Sequence, residues 1–205
     1  MTGTRIIGLT GGIASGKSTV TRILERLGAV IVDADMLSRE VVAPGEPAWK
    51  AIIAEFGSEM LNPDRTINRQ ALGREVFADP EARRRLEKIT HPAIALRAEE
   101  KLAAYRKASA PVVFYVAPLL IEAGRAALVD EIWVIYADET TQMERLILRD
   151  GISSDDARSR LAAQMPMDEK KQYGRVVIDN RGTEQELEQK VREVWVKEIG
   201  PRAKR

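Results

Sequence analysis

The run Gly11-Gly12-Ile13-Ala14-Ser15-Gly16-Lys17-Ser18-Thr19 follows directly on the apolar Ile6-Ile7-Gly8-Leu9, and it constrains the fold more than any other part of the chain. It matches G-x-x-x-x-G-K-[ST], a pattern that works only as the turn between a β-strand and a helix. Glycines let the backbone wrap so that its N–H groups converge on phosphate oxygens, and the following helix adds the partial positive charge of its N-terminus. Val20, Ile23, Leu24 and Leu27 then recur at helical spacing, with Gly28 as the stop. A bound nucleoside triphosphate is therefore the working premise for Gly11–Thr19, with Lys17 reaching the β/γ-phosphates and Ser18 ligating Mg²⁺. The plainer alternative is a glycine-rich turn.

Strand-like apolar runs at Arg5–Thr10, Val30–Asp33, Val112–Ala117, Glu131–Tyr136 and Val176–Asp179 alternate with longer helical patterns. That alternation predicts an α/β fold with a mainly parallel sheet of about five strands covered by helices. The gap between the second and third runs is too long for a simple crossover. It holds four helix-like segments, Trp49–Phe56, Arg69–Phe77, Glu81–Ile89 and Ala93–Tyr105, with Asp79-Pro80 as N-cap and first helical residue of the third. The expected organisation is one domain: a core of 1–42, 110–145 and 175–205, a helical substrate-binding insertion of 43–109, and a lid of 146–174.

A helix at Thr140–Arg149 runs into the lid span, and after it comes a polar stretch through Arg158, Arg160, Gln164, Lys170 and Lys171. Such a stretch is either a solvated, salt-bridged surface or, in a phosphoryl-transfer enzyme, a segment that closes over the γ-phosphate. Arg145 and Arg149 stand four apart, so they share a helix face and can converge on one anion. Thr183-Glu184-Gln185-Glu186 is a capping box that opens a last helix.

Composition removes several classes. The 205 residues carry a formal net charge of +1, which gives no nucleic-acid footprint. Absence of cysteine excludes disulfides, thiolate metal sites and cysteine nucleophiles, and a single histidine excludes a histidine triad or a multi-histidine metal site. No apolar run approaches membrane-spanning length, so the chain is expected to be cytoplasmic, with no membrane partner. A monomer is expected; an oligomer stays open.

Asp33-Ala34-Asp35 ends the second strand run, at the sheet edge where α/β proteins bind ligands. Asp33 is placed to accept the proton of an attacking hydroxyl, and Asp35 to assist the metal or hold the loop; the plainer role for both is to cap a helix over Met36–Val41. The third strand run reads Phe114-Tyr115-Val116-Ala117-Pro118 and offers no carboxylate to Mg²⁺. The ion then leans on Ser18, phosphate oxygens and water, with Asp33 as a further option. His91, next to Pro92, is on composition alone a structural residue, and Trp49, Trp133 and Trp195 read as core.

Taken in order, Gly8 to Ser18, Asp33-Ala34-Asp35, Ile67-Asn68-Arg69 with Leu72 and Phe77, His91-Pro92, Pro118-Leu119-Leu120-Ile121-Glu122, Gln164-Met165-Pro166, and Ile178-Asp179-Asn180 with Gly182 resemble the dephospho-coenzyme A kinase family over nearly the whole chain. The resemblance implies a P-loop NTPase-type three-layer α/β/α core with a helical substrate region and an arginine-bearing lid. It implies transfer of the ATP γ-phosphoryl group to the ribose 3′-hydroxyl of dephospho-coenzyme A. By position, Lys17 and Ser18 serve the triphosphate and Mg²⁺, Asp33 is the base, and Arg145 and Arg149 bind phosphate or belong to the lid. Asn180 falls where the family contacts adenine; Arg69, Phe77, His91 and Leu119, with Asp33 and Asp35, fall in the substrate-facing set.

Three positions depart from the family pattern. Ala14 replaces a glycine, which is harmless if its φ is negative; Val116 stands where many members have aspartate; Tyr173 stands where a small residue is expected. The rival functions are another small P-loop nucleotide or metabolite kinase, a nucleotide switch using Asp179-Asn180-Arg181-Gly182 as D-x-x-G, and a nucleic-acid ATPase.

Overall fold

The computed structural model describes residues 3–200. Five strands, β1 (Arg5–Thr10), β2 (Val30–Asp33), β3 (Val112–Val116), β4 (Glu131–Tyr136) and β5 (Val176–Asp179), form one sheet in the order β2-β3-β1-β4-β5. β1 pairs in parallel with both β3 and β4, and β4 in parallel with β5. β1 is thus central, and the chain leaves it toward one side of the sheet before returning on the other. That reversal is the switch point at which open α/β sheets bind ligands, and Gly11–Thr19 leaves β1 there. β3 is buried along its whole length, which is why it reads as an unbroken apolar run.

The helices are α1 (Lys17–Arg26), α2 (Ala34–Glu40), α3 (Pro47–Phe56), α4 (Arg69–Ala78), α5 (Pro80–Lys107), α6 (Glu139–Asp150), α7 (Ser154–Ala162), α8 (Met167–Lys170) and α9 (Glu184–Glu198). α9 opens on the expected capping box, formed reciprocally by Thr183 and Glu186. Two helical segments expected on either side of His91-Pro92 are one helix, α5, with Pro92 inside it. Proline removes one main-chain hydrogen bond, but Ala95, Ala98 and Leu102 beyond it are buried, and their packing carries the helix across the break. The polar stretch after α6 is likewise ordered. Ser153 caps α7 by accepting from the Asp156 N–H at 3.1 Å.

The chain divides into two compact units, one comprising the residues up to Val32 with those from Ala104 onward, the other Asp33–Ala103. In the first, Ile7 and Leu9 of β1 pack with Val20, Ile23 and Leu24 of α1, Phe114, Trp133, and Leu187, Val191 and Trp195 of α9. Phe114 meets Trp133 edge-on, with ring centres 5.2 Å apart, and stacks on Trp195 at 6.5 Å. In the second, Trp49, Ile52 and Phe56 of α3 pack with Ile67, Leu72 and Ala82. This unit opens at Asp33, ten residues before 43, because α2 is tied to α5 by Glu40, which pairs with Lys101 at 2.8 Å and Arg97 at 3.7 Å. All three tryptophans are buried, as expected of core residues.

Glu131 accepts from Arg5, Arg175 and Trp133 Nε1. Burial pushes its carboxyl up, but these hydrogen bonds outweigh burial and hold it below the usual carboxylate range. A depressed carboxyl contributes stability that is present above its unfolded pKa, about 4.3, and lost as pH falls through the folded value. Acid titration of unfolding is therefore expected to be shallower below pH ~4 for Glu131→Gln than for the parent chain. Parallel curves would show that the network is not linked to proton uptake.

Candidate active site

β1 ends at Thr10, and α1 begins at Lys17 with Gly16 as its N-cap at φ 92. A Cβ at Gly16 would overlap the Asn180 side-chain amide, so both the dihedral and the space demand glycine. No side chain caps α1, and the Thr19 N–H turns back to Gly16 O at 3.1 Å, so the helix start offers an anion the partial positive charge of its N-terminus. Lys17 lies over the loop, its Nζ donating to Gly11 O at 3.5 Å, and Ser18 is exposed in the first turn.

Four side chains from later in the chain hold the loop. Met167 Sδ accepts from the Gly12 N–H at 3.1 Å, and Gln164 Oε1 from the Ile13 N–H at 2.8 Å. Gln142 Nε2 donates to Ile13 O at 2.6 Å, and Asn180 Nδ2 to Ser15 O at 2.8 Å. Asn180 is 4% exposed, and its amide braces the loop through this hydrogen bond.

Ala14 stands at φ 57, so the condition under which its methyl group is harmless is not met. A left-handed conformation costs an L-residue roughly 1–2 kcal/mol. Glycine would remove that cost and return ~0.4–1 kcal/mol through its looser unfolded chain. Ala14→Gly is expected to raise Tm by about 2–3 °C, read by thermal unfolding. A lower Tm would show that the strain is absorbed elsewhere.

A buried charge anchors the segment that carries Gln164 and Met167. Lys170 is fully buried, and its Nζ pairs with Glu122 Oε1 at 2.7 Å and donates to Pro118 O at 3.0 Å. Pro118 O also accepts from Thr10 Oγ1 at 3.1 Å, and Glu122 Oε1 from the Met165 N–H at 3.3 Å. Removing one partner of a buried pair strands the other, at a typical cost of ~3–5 kcal/mol. Glu122 keeps 22% side-chain exposure, so Lys170→Met is expected to cost about 3 kcal/mol, a fall in Tm of ~6–12 °C. Adding Glu122→Gln should recover part of that loss; additive losses would show that the two groups do not act as a pair.

The two helix arginines do not converge. Arg145 Nη2 donates to Gly182 O at 3.2 Å, whereas Arg149 is held by Asp150 at 2.7 and 3.1 Å. Arg160 joins the same carboxylate at 2.8 Å. The Arg149 hydrogen bond holds Asp150 below the usual carboxylate range, so this pairing persists at neutral pH. A cavity of about 320 Å³ is walled by Arg158, Gln142, Gln164 and Met167 among others, which sets a lid arginine beside the side chains that hold the loop. Asp179 is engaged by Arg181, with Nη2 at 2.7 Å.

The remaining candidates belong to the second unit, apart from Leu119, which is 47% exposed after β3. Asp33 closes β2 and caps α2, with Oδ1 accepting from the Asp35 N–H at 2.8 Å. The capping role weighed for it is therefore real, yet it occupies one of two carboxylate oxygens. Asp35 is exposed in the first turn of α2, and Arg69 is exposed at the start of α4. Phe77 is 95% exposed, an unusual state for so large an apolar side chain, and His91 is exposed on α5. Tyr173 is 49% exposed, so about half of its surface faces solvent.

Gln142 and Met167, which hold the loop, and Lys170, which anchors the Met167 segment, escaped sequence reasoning in those roles. For Gln142 the signal was its place four residues before the buried Leu146, on the apolar stripe of α6. Among the described residues no three His, Asp or Glu side chains form a metal cluster. An exposed Ser18 beside an uncapped helix start fits an ion that draws most of its ligands from phosphate and water.

Comparison with known proteins agrees with this architecture. The family model described as dephospho-CoA kinase matches residues 5–186. A dephospho-CoA kinase from Geobacter metallireducens is 66% identical over 194 residues, spanning 95% of this chain and 96% of the relative. The solved dephospho-CoA kinase from Campylobacter jejuni is 28% identical with a TM-score of 0.74, covering 96% of this chain and 98% of its own. Shikimate kinase from Acinetobacter baumannii, at 17% identity and a TM-score of 0.52 over 95% and 94% of the two chains, shares the fold alone. With its loop, its central strand and its downstream braces all inside the matched span, the chain belongs to the dephospho-CoA kinase family.

Proposed function

We propose that this chain transfers the γ-phosphoryl group of ATP to the ribose 3′-hydroxyl of dephospho-coenzyme A, giving coenzyme A and ADP, the last step of coenzyme A synthesis. The observation that carries this is a phosphate loop braced by Gln142 and Asn180, with no side-chain cap on the helix that follows it, in a chain whose family match runs through residues 5–186. The ribose oxygen forms a bond to the γ-phosphorus as the bond to the ADP oxygen breaks, and the hydroxyl proton passes to a base. Asp33 is that base in our reading. Lys17 and the lid arginines Arg145 and Arg149 balance charge on the transferring group, Arg149 once it exchanges Asp150 for phosphate. Mg²⁺, when bound through Ser18, would neutralise charge on the β- and γ-phosphate oxygens.

Asp33, Asp35, Arg69, Phe77, His91 and Leu119 are proposed to receive dephospho-coenzyme A. The exposed Phe77 ring offers a stacking platform and Arg69 a phosphate partner. No helix among the described residues is long and apolar enough to cross a membrane. We read the chain as a cytoplasmic monomer without a nucleic-acid partner, on its near-neutral charge.

ADP release with dephospho-coenzyme A, AMP, adenosine and shikimate as acceptors tests the proposal. Turnover is expected with dephospho-coenzyme A. Faster turnover with another acceptor would transfer the chain to a different small-molecule kinase.

A further inference from the structure

The hydrogen bonds on the loop form a pattern that says more than that it is held. Among the described residues every peptide bond is trans, so the carbonyl of one residue and the N–H of the next point in opposite directions. Gln142 Nε2 fixes Ile13 O, which turns the Ala14 N–H away from α6; Asn180 Nδ2 fixes Ser15 O, which turns the Gly16 N–H the same way relative to its own brace. On the preceding peptide, Gln164 Oε1 fixes the Ile13 N–H, and Gly12 O, turned the other way, accepts from the Ser15 N–H at 3.2 Å. Ile13 is therefore gripped at both its N–H and its C=O by two amide side chains. The residue after it, Ala14, is the loop's non-glycine residue at positive φ, so the grip sits where the backbone has reason to relax.

The two glutamines flank α7 in the chain. Gln142 lies on α6, before α7, and Gln164 follows α7, in the segment anchored by Lys170 and Glu122. Gln142 is 4% exposed, and a Cβ on Gly12 would overlap its amide, so the contact has no slack.

We infer that Gln142 and Gln164 are positioning residues that clamp the Ile13 peptide groups and so aim the Ala14 N–H at the polyphosphate, coupling both flanks of the lid helix to the phosphate affinity of the loop. The inference rests on Gly11–Thr19 being a triphosphate loop. Neither glutamine needs to touch substrate. Their effect is expected in proportion to the phosphates a ligand carries, which separates aiming of the loop from support of the fold.

The test is calorimetric binding of ATP and of adenosine to the full chain carrying Gln142→Met, Gln164→Met or both, each a near-isosteric loss of one hydrogen bond. Each single change is expected to weaken ATP about tenfold, the scale of one hydrogen bond, while adenosine affinity stays within about twofold. Because both grip one residue, the double variant is expected to lose little more than the weaker single one. In turnover, kcat/KM for ATP falls and KM for dephospho-coenzyme A holds. Equal loss of ATP and adenosine, strictly additive losses, or unchanged ATP affinity each overturn the clamp. Should circular dichroism show Gln142→Met unfolded, Gln164→Met, at a half-buried position, carries the same readout. A parent chain without ATP affinity would instead overturn the triphosphate reading itself.

Discussion

Replacing Lys17 with alanine is expected to lower kcat by roughly 10²–10³-fold, the usual scale for losing one preorganised charge-stabilising group. A loose phosphoryl-transfer transition state leaves little covalent work to the protein, so alignment and charge balance supply most of the acceleration. Lys17 is the first residue of α1, and its ammonium lies back across the loop against the Gly11 carbonyl. Its charge therefore adds to the helix dipole at one place. Steady-state kinetics with saturating ATP and dephospho-coenzyme A measure the effect, and calorimetry separates it from lost ATP binding. Turnover within a few-fold of the parent chain would remove Lys17 from the chemistry and with it the proposed use of the loop. Lys17→Arg is expected to recover only part of the rate, because a planar fork does not replace a compact ammonium in a loop of fixed width.

How far the sequence alone carries the fold can be seen strand by strand. All five strands stand where apolar runs between helical patterns put them, β3 ending one residue early at Val116. Period and burial determine that signal locally, and a fully buried parallel strand leaves little ambiguity. α5 was not legible as one helix, because a proline is a local stop and the burial of Ala98 and Leu102 that overrides it is tertiary. α7 was hidden for the opposite reason: Ala157 is its one buried residue, so it has almost no apolar stripe to detect. In the site, the loop was plain because G-x-x-x-x-G-K-[ST] is contiguous. The braces were not, since Gln142, Gln164, Met167 and Asn180 lie 129 to 165 residues from the atoms they hold. The fate of Arg149 was equally hidden. Helical spacing shows which face it shares with Arg145, but the neighbouring Asp150 decides where its guanidinium goes.

Asp33→Asn is expected to cost ~10²–10⁴-fold in kcat if Asp33 takes the hydroxyl proton, with KM for dephospho-coenzyme A within about threefold. The substitution discriminates because Asp33 also has a structural role, in which its Oδ1 caps α2 by accepting from the Asp35 N–H. Asparagine is as good a cap as aspartate, its side-chain oxygen accepting the same hydrogen bond, so helix stability should move by no more than a few tenths of a kcal/mol. What asparagine cannot do is accept a proton. A large fall in kcat at unchanged Tm therefore isolates the chemical role from the capping one. Asp33→Ser, which also caps but lacks the carboxylate, should reproduce the loss. A rise in KM with kcat intact would reassign Asp33 to holding the acceptor. Lost affinity for Mg²⁺-ATP over ATP alone would make it a metal ligand instead. A fall in Tm with proportionate loss of active enzyme would leave it a helix cap and nothing more. The aspartate that closes β2 is thus where one side chain is asked both to hold the local fold and to accept a proton, and the asparagine variant separates the two.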